Sequence, residues 1–523
     1  MAGPALRDEN RGGARRVLLA VLVLGLSAGL AACRDSGPAA TGADRSAADA
    51  GIQRANTLLQ ERRFAPALEA IDEVLARSPR HREGRLLRAA ILRRLERVDE
   101  GAAVLEELRA ELPDDPEICR RLAFFRKHQG RWRDAVDLFE SLPPGERAPT
   151  PNDALAYAES LANDGQLVKA SGVATDVLLA DPWFSRAYFL FAQIDDRKGR
   201  PLEAGWWAEQ YRRDQALRDA EQLAYNPGEG GKPAESTARM VDALRERGRW
   251  LEALDVAQRA PAAPAAPLAL RLAIARLYCD LERPADAKAA LAGLPPSAAV
   301  WAARGAVHAA AEERDAALAA YERAVAEEPA GGPWHAARDA LLAAAVLPAD
   351  PFATARRELR ARLATKPIRA ASEEYLALAL LHAAHGRPDA ARALALVALH
   401  GDPRRPAALR LVRDVFDRPE EAFIRLSVLS RLLRFEPADE ASREDLIRHL
   451  LALDVHLGAA VGHARALVQR DPSADRLVLL ARVHLAAGER EEARSVLHRA
   501  LEADAAHAAA RELLDGLGGA AER

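Results

Sequence analysis

The sequence predicts an all-α chain built as an α-solenoid, a stack of helix–turn–helix units. Composition is the first sign. Of 523 residues, 49% are hydrophobic, mostly Ala, Leu and Val, and only 5% are aromatic. Strands draw on β-branched and aromatic side chains, whereas Ala, Leu, Arg and Glu favour helices. A second sign is the recurrence of small residues at near-constant spacing, at Ala55, Ala89, Ala123, Ala158 and Ala192. Helix breakers recur in step with them, at Gly130, Gly165 and Gly199 and at Pro79, Pro113 and Pro182. A β-sandwich and a conventional α/β enzyme are thereby disfavoured. Lys and Arg total 74 against 77 Asp and Glu, so the basic footprint of a nucleic-acid-binding chain is missing too.

The N-terminus carries Arg7, Arg11, Arg15 and Arg16, then the apolar run VLLAVLVLGLSAGL over 17–30. That run is short of the ~20 residues that span a bilayer but fits the core of a secretory signal. It ends in Leu30-Ala31-Ala32-Cys33. The order of charge, apolar run, small residues and Cys resembles a bacterial lipoprotein signal. The resemblance implies that Cys33 carries the lipid and becomes the new N-terminus; an ordinary signal peptide or membrane anchor with a chance Cys is the alternative. Arg15-Arg16 lacks a wider twin-arginine motif, which favours the general secretory route. Position 34 is Arg rather than Asp, which under enteric sorting rules points to the outer membrane.

Residues 34–47 are small and polar and read as a flexible tether. Beyond them the repeat frame holds over roughly 48–508 in about a dozen units. Trp301, Gly305, His308, Ala317, Tyr321, Ala324 and Pro329 trace one unit; Leu477, Leu480, Ala481, His484, Gly488, Ala493, Leu497 and Ala500 trace another. This pattern resembles the tetratricopeptide repeat, a 34-residue helix–turn–helix. Close helix crossings need Ala or Gly, a large residue fills the gap beside them, and Pro stops the helix. The frame breaks at Asn226-Pro227-Gly228-Glu229-Gly230-Gly231-Lys232-Pro233 and again over 330–351. The expected organisation is a signal segment 1–32, a tether 33–47, an N-terminal array 48–218, a linker 219–233 and a central array 234–331. An irregular helical connector 332–351, a C-terminal array 352–508 and a capping helix with tail 509–523 follow. Packing is expected between sequence neighbours only, as in a quasi-one-dimensional body.

No catalytic constellation appears. Gly230-Gly231-Lys232 is followed by Pro233, not the Ser or Thr of a phosphate loop, and HExxH, GxSxG and paired-cysteine zinc patterns are missing. His449, His456 and His463 fall seven apart, unlike the i, i+4 pairs of helical zinc sites. Cys119 and Cys279 sit in apolar helical patterns and read as buried unpaired thiols. No cofactor, metal or small-molecule substrate is expected.

What remains is the face formed by the first helices. In the resembled family this face holds ligands, which implies Asn56 in the first unit and Arg93 and Arg94 in the second. Arg120, Phe124 and Lys127 follow in the third, Glu159 and Asn163 in the fourth, and Phe189, Gln193 and Asp196 in the fifth. Arg93, Arg94, Arg120 and Lys127 around Phe124 compose a basic patch suited to an acidic peptide segment; a solvated charged face is the plainer alternative. The family's carboxylate clamp is not expected, because Leu87 stands where an Asn is needed. Ala302, Ala306, Ala309, Ala310, Leu376, Leu380, Ala383 and Ala384 give a smooth apolar stretch later on, closed by neighbours or open to a partner helix.

The expected function is a non-enzymatic, lipid-anchored envelope scaffold that binds proteins or peptides and no nucleic acid. By resemblance, its setting would be a secretion, polysaccharide-export or outer-membrane machine. Two rivals are a polymer-binding scaffold using Trp183 and Trp206-Trp207, and a superhelical peptidoglycan-cleaving transglycosylase, for which the repeats leave no separate catalytic domain. Cys33→Ala should move the protein from detergent-requiring membrane fractions into the soluble fraction; unchanged partitioning would remove the lipid attachment.

Overall fold

Every repeat but one, Pro406–Val415 with Ala422–Phe435, has a first helix, mostly of about thirteen residues, that ends in one left-handed residue, and the backbone then closes by the same hydrogen bond. Arg131 N–H donates to Arg126 O at 2.9 Å around Gly130, whose φ is 71°. Arg283 N–H donates to Tyr278 O at 2.8 Å, and Glu313 N–H to His308 O at 2.9 Å. This closure satisfies carbonyls that the helix end would otherwise leave orphaned. It also turns the chain tightly enough for the next helix to run back against the first. In the computed structural model, which describes residues 42–225, 233–260, 266–329, 332–343 and 352–519, twelve helix pairs follow one another. Among the described residues there are 28 helices and no strand. The architecture is the predicted α-solenoid, and its pairs have the form of the tetratricopeptide repeat.

The chain divides into two compact units, residues 1–118 and 119–523. The first holds two pairs, Gly42–Gln60 with Phe64–Arg77 and Arg82–Arg94 with Val98–Glu111. Ala55 and Ala67 meet at the first crossing and are fully buried. The Arg85 guanidinium donates to both Glu111 carboxylate oxygens at 2.9 and 2.7 Å, a two-point pairing that fixes its orientation as well as its charge.

The second unit holds the other ten pairs, from Pro116–His128 with Trp132–Glu140 to Ala474–Ala486 with Arg490–Ala503. Proline opens many first helices, as at Pro151, where the missing N–H costs nothing; Thr150 caps the same helix by accepting from Asp153 N–H at 3.1 Å. Ala123, Ala135, Ala158 and Ala170 are fully buried at successive crossings. One crowded crossing is at Gly305: a Cβ there would lie 2.8 Å from the Tyr321 ring, so the glycine makes room for the large residue beside it.

Several boundaries differ from the sequence expectation. The first helix begins at Gly42, inside the expected tether, because Ala43, Ala47 and Ala48 favour helix over coil. Pro201–Tyr225 reaches about halfway through the expected linker 219–233, the next helix begins at Pro233, and residues 226–232 lie outside the described residues. Pro333–Ala343 occupies the first half of the expected connector, and Ala508–Gly519 is the terminal helix. Cys33 and the expected signal segment 1–32 lie outside the described residues. Among those described, no helix is long and apolar enough to cross a membrane.

The larger departure is that the second unit does not pack by nearest neighbours alone. One continuous core joins Leu217, Val241, Leu270 and Leu277 to Leu363, Tyr375, Leu394, Leu409 and Leu432. The helix Ala353–Ala364 lies across the turns of two earlier pairs. Arg356 donates to Glu312 at 2.9 and 2.8 Å, Arg360 reaches Glu282 at 2.5 Å, and Arg283 donates to the carbonyl of Leu363 at 2.6 Å. Glu282 and Glu312 both adopt positive φ, 55° and 62°, a conformation costing on the order of 1–3 kcal/mol for a non-glycine residue. Their carboxylates are the groups that hold Ala353–Ala364, and that offsets the strain.

A second closure joins Leu167–Tyr225 to Ala422–Arg470. Phe423, 2% exposed, inserts among Tyr188, Phe191 and Trp207, with ring centroids 5.9, 5.8 and 5.7 Å away. Around it Ser427 donates its hydroxyl to Leu179 O at 2.6 Å, Lys198 pairs with Asp454 at 3.0 Å, and His456 meets Asp176 at 3.0 Å. Trp207 and Trp183 thus serve packing.

Two stability changes follow. Phe423→Ala should cost about 3–5 kcal/mol by denaturant unfolding; a loss near 0.5 kcal/mol, the scale of a surface change, would show that the second closure contributes nothing. Burial alone would raise the Glu282 carboxyl, but the imidazole of His382 and the guanidinium of Arg360 outweigh it and hold its pKa below the ordinary glutamate value. A depressed folded pKa stabilises the fold above the unfolded value, about 4.3, and that stability disappears as pH falls through the depressed value. Glu282→Gln should therefore be less stable at neutral pH yet lose less on acidification, as followed by unfolding at several pH values; parallel curves would contradict the pairing.

Candidate functional site

The first helices of three successive pairs, Pro116–His128, Pro151–Asn163 and Ser185–Arg197, bring their exposed faces together in the second unit. Between them lies a cleft of about 480 Å³ lined by Lys127, His128, Gly130, Trp132, Glu159, Asn163, Phe189 and Gln193. Five of the residues named from the sequence, Lys127, Glu159, Asn163, Phe189 and Gln193, share this one space. Phe124 lies next to it, with the Lys127 ammonium 5.8 Å from its ring centroid.

Charge in the cleft is balanced internally. The Lys127 ammonium is paired with the Glu159 carboxylate, and both side chains are largely buried. Arg186 stands 3.5 Å from the same carboxylate. Asn163 donates through Nδ2 to Glu159 O at 2.7 Å and accepts from Arg197 at 2.6 Å, so its amide is held in one orientation. Phe189 is 47% exposed and rests on the Tyr211 ring, with centroids 5.2 Å apart. The arrangement offers an aromatic platform, amide groups and a fixed ion pair.

The other residues named from the sequence are placed elsewhere. Asn56, Arg93 and Arg94 belong to the first unit. Arg120 donates to the backbone carbonyl of Glu146 at 2.6 Å, and Asp196 is exposed outside the cleft. Gly130 and Trp132 are lining residues that the sequence reading passed over. Trp132 opens a second helix directly after the left-handed turn, a position where a large aromatic lies outside the core period, and that was the available signal. Of the later apolar stretch, Leu376 is buried and Ala383 packs on the core, while Leu380 is 46% exposed; neighbouring helices close part of that face.

Several histidines and both described cysteines lie outside the cleft. Of the histidines at one recurring first-helix position, His382 and His484 are buried, whereas His308 is only partly so. His456 meets Asp176 and His463 meets Arg443, and no group of residues suited to a metal ion occurs among the described residues. Neither Cys119 nor Cys279 forms a disulfide among the described residues. Burial, reinforced by Asp280 and Glu282, pushes the Cys279 thiol up to about 12, which keeps it un-ionised and a poor nucleophile at neutral pH.

No family model and no curated protein matches this sequence. Among solved structures, the chain is similar to the APC/C hetero-tetramer Cut9-Hcn1, at 14% identity over 90% of this chain and 96% of that one, with a TM-score of 0.25. It is similar to YrrB, described as a TPR protein with an unusual peptide-binding site, at 16% identity over 42% of this chain and 91% of that one, TM-score 0.25. A tetratricopeptide repeat protein from Parabacteroides merdae shows 13% identity over 57% and 99% of the two chains, TM-score 0.26. The assignment of the repeat rests on this chain's own helix pairs, turns and alanine crossings.

Proposed function

We propose that this chain is a non-enzymatic scaffold, tethered in the cell envelope through lipid on Cys33, that captures a protein partner by an extended segment laid in the Lys127–Gln193 cleft. The observation that carries the reading is the convergence of Lys127, Glu159, Asn163, Phe189 and Gln193, from three successive first helices, on one open space. Repeat arrays offer broad binding surfaces of this kind. Because Glu159 neutralises Lys127, the cleft favours an uncharged stretch over the acidic one that the arginine-rich sequence suggested. Amides such as Gln193 suit peptide backbone groups, and Phe189 with Trp132 suits an apolar or aromatic side chain. The envelope setting and the choice among secretion, polysaccharide-export and outer-membrane machines rest on the signal-like N-terminus and on resemblance.

Phe189 and Gln193 stand on the open side of their helix, so replacing them leaves the crossing alanines intact. The double variant Phe189→Ala/Gln193→Ala should bind the partner about 10-fold to 100-fold more weakly, the effect of removing one or two anchoring contacts. The measurement is quantitative crosslinking capture from source cells, comparing wild type with variant. An unchanged partner set at unchanged yield would refute the cleft as the binding site.

A further inference from the structure

The last pairs of the second unit carry another concave surface, on the face formed by second helices. A groove of about 560 Å³ runs between Leu457–Arg470 and Arg490–Ala503. Its floor is apolar, with Val468, Leu480 and Val496 all buried as residues yet lining the groove. Arg465 and Arg499 stand on its walls, one on each of the two helices. They stand on adjacent second helices, so two guanidinium groups of like charge border the same space.

Elsewhere in this region arginines find carboxylates. Arg476 meets Glu440 at 2.5 Å and Asp471 at 3.3 Å, Arg448 meets Glu444 at 3.1 Å, and Arg494 meets Glu491 at 2.8 Å. Arg465 and Arg499 have no hydrogen-bond or ion-pair partner among the described residues, nor have Gln469 and Ser495 on the same walls. Two neighbouring cations over an apolar floor complement a surface that brings carboxylates and aliphatic groups together. Glu492, at the other end of the groove in the first turn of its helix, gives the site a direction, since an occupant lying along it would point a basic residue there.

We propose that this groove docks an acidic amphipathic helix of a partner protein, with carboxylates on Arg465 and Arg499 and aliphatic side chains over Val468, Leu480 and Val496. The site is separate from the Lys127–Gln193 cleft and stands whether or not that cleft binds a peptide. It gives the chain two docking faces, one on first helices and one on second helices. An anionic lipid surface is the competing occupant. The groove is recessed between two helices, a shape that admits a rod-like segment and not a flat bilayer surface, so the helix is the better fit.

The test uses the full chain and a fluorescent helical probe of about four turns, with Glu on one face and Leu on the other. Anisotropy should show saturable binding that weakens at least tenfold in Arg465→Glu/Arg499→Glu. Ser495→Trp, which fills the groove from an exposed position without changing charge, should weaken it comparably. Phe189→Ala/Gln193→Ala should leave it unchanged, which separates this site from the cleft. Far-ultraviolet helicity identical to wild type excludes misfolding as the cause. No binding to the wild type, or binding that survives both groove variants, would overturn the proposal. Arginine-dependent binding to phosphatidylglycerol vesicles with none to the peptide would overturn it in favour of a membrane surface.

Discussion

Close approach of two antiparallel helices at an alanine or glycine crossing is the constraint on which the rest of this protein depends. At Ala123/Ala135 and Ala158/Ala170 the side chains are fully buried, and at Gly305 even a methyl group would collide with Tyr321. A helix pair held that tightly places the exposed face of its first helix, and that of its second, in a fixed relation to the next pair. The left-handed turn residue is the complement of this approach, because it reverses the chain within a few residues and leaves no slack for the helices to drift apart. Low aromatic content follows directly: a core made of repeated close crossings has little room for large rings, and those present cluster where spacing widens, as around Phe423.

The repeats and their small-residue crossings were legible in the sequence because they are local and periodic. So was most of the cleft, since a first-helix position recurring in three units necessarily lands on one face. Its charge state was not legible. Lys127 and Glu159 belong to different helices, and their pairing depends on how far each side chain reaches. Arg120 counted as a groove cation from its position, but its guanidinium turns to the carbonyl of Glu146. Turn residues show the limit from the other side. Where the turn is Gly130 or Gly165 the repeat is easy to see, whereas Glu282 and Glu312 hide the same left-handed conformation under a residue that rarely adopts it.

The fold-back of the second unit had no local signature at all. Arg356, Arg360, Phe423 and Asp454 are ordinary residues for a helix or its end, and their partners lie from about forty to more than two hundred positions away. Such pairings close long loops at a cost that grows only slowly with loop length, so nothing in composition or period forbids or announces them. They change what the array is. A solenoid with nearest-neighbour contacts alone can lose its repeats one by one, whereas the shared core from Leu217 to Leu432 ties early and late repeats of this unit into one structure.

The most direct test of this account is zero-length carbodiimide crosslinking of the folded chain, read by peptide mass spectrometry. Lys198 Nζ lies 3.0 Å from the Asp454 carboxylate, close enough for an amide to form between them. The account predicts a crosslinked peptide pair joining Lys198 to Asp454 under native conditions and its loss in denaturant. Crosslinks confined to neighbouring repeats, with Lys198 and Asp454 never joined, would contradict the folded-back array and restore an open solenoid.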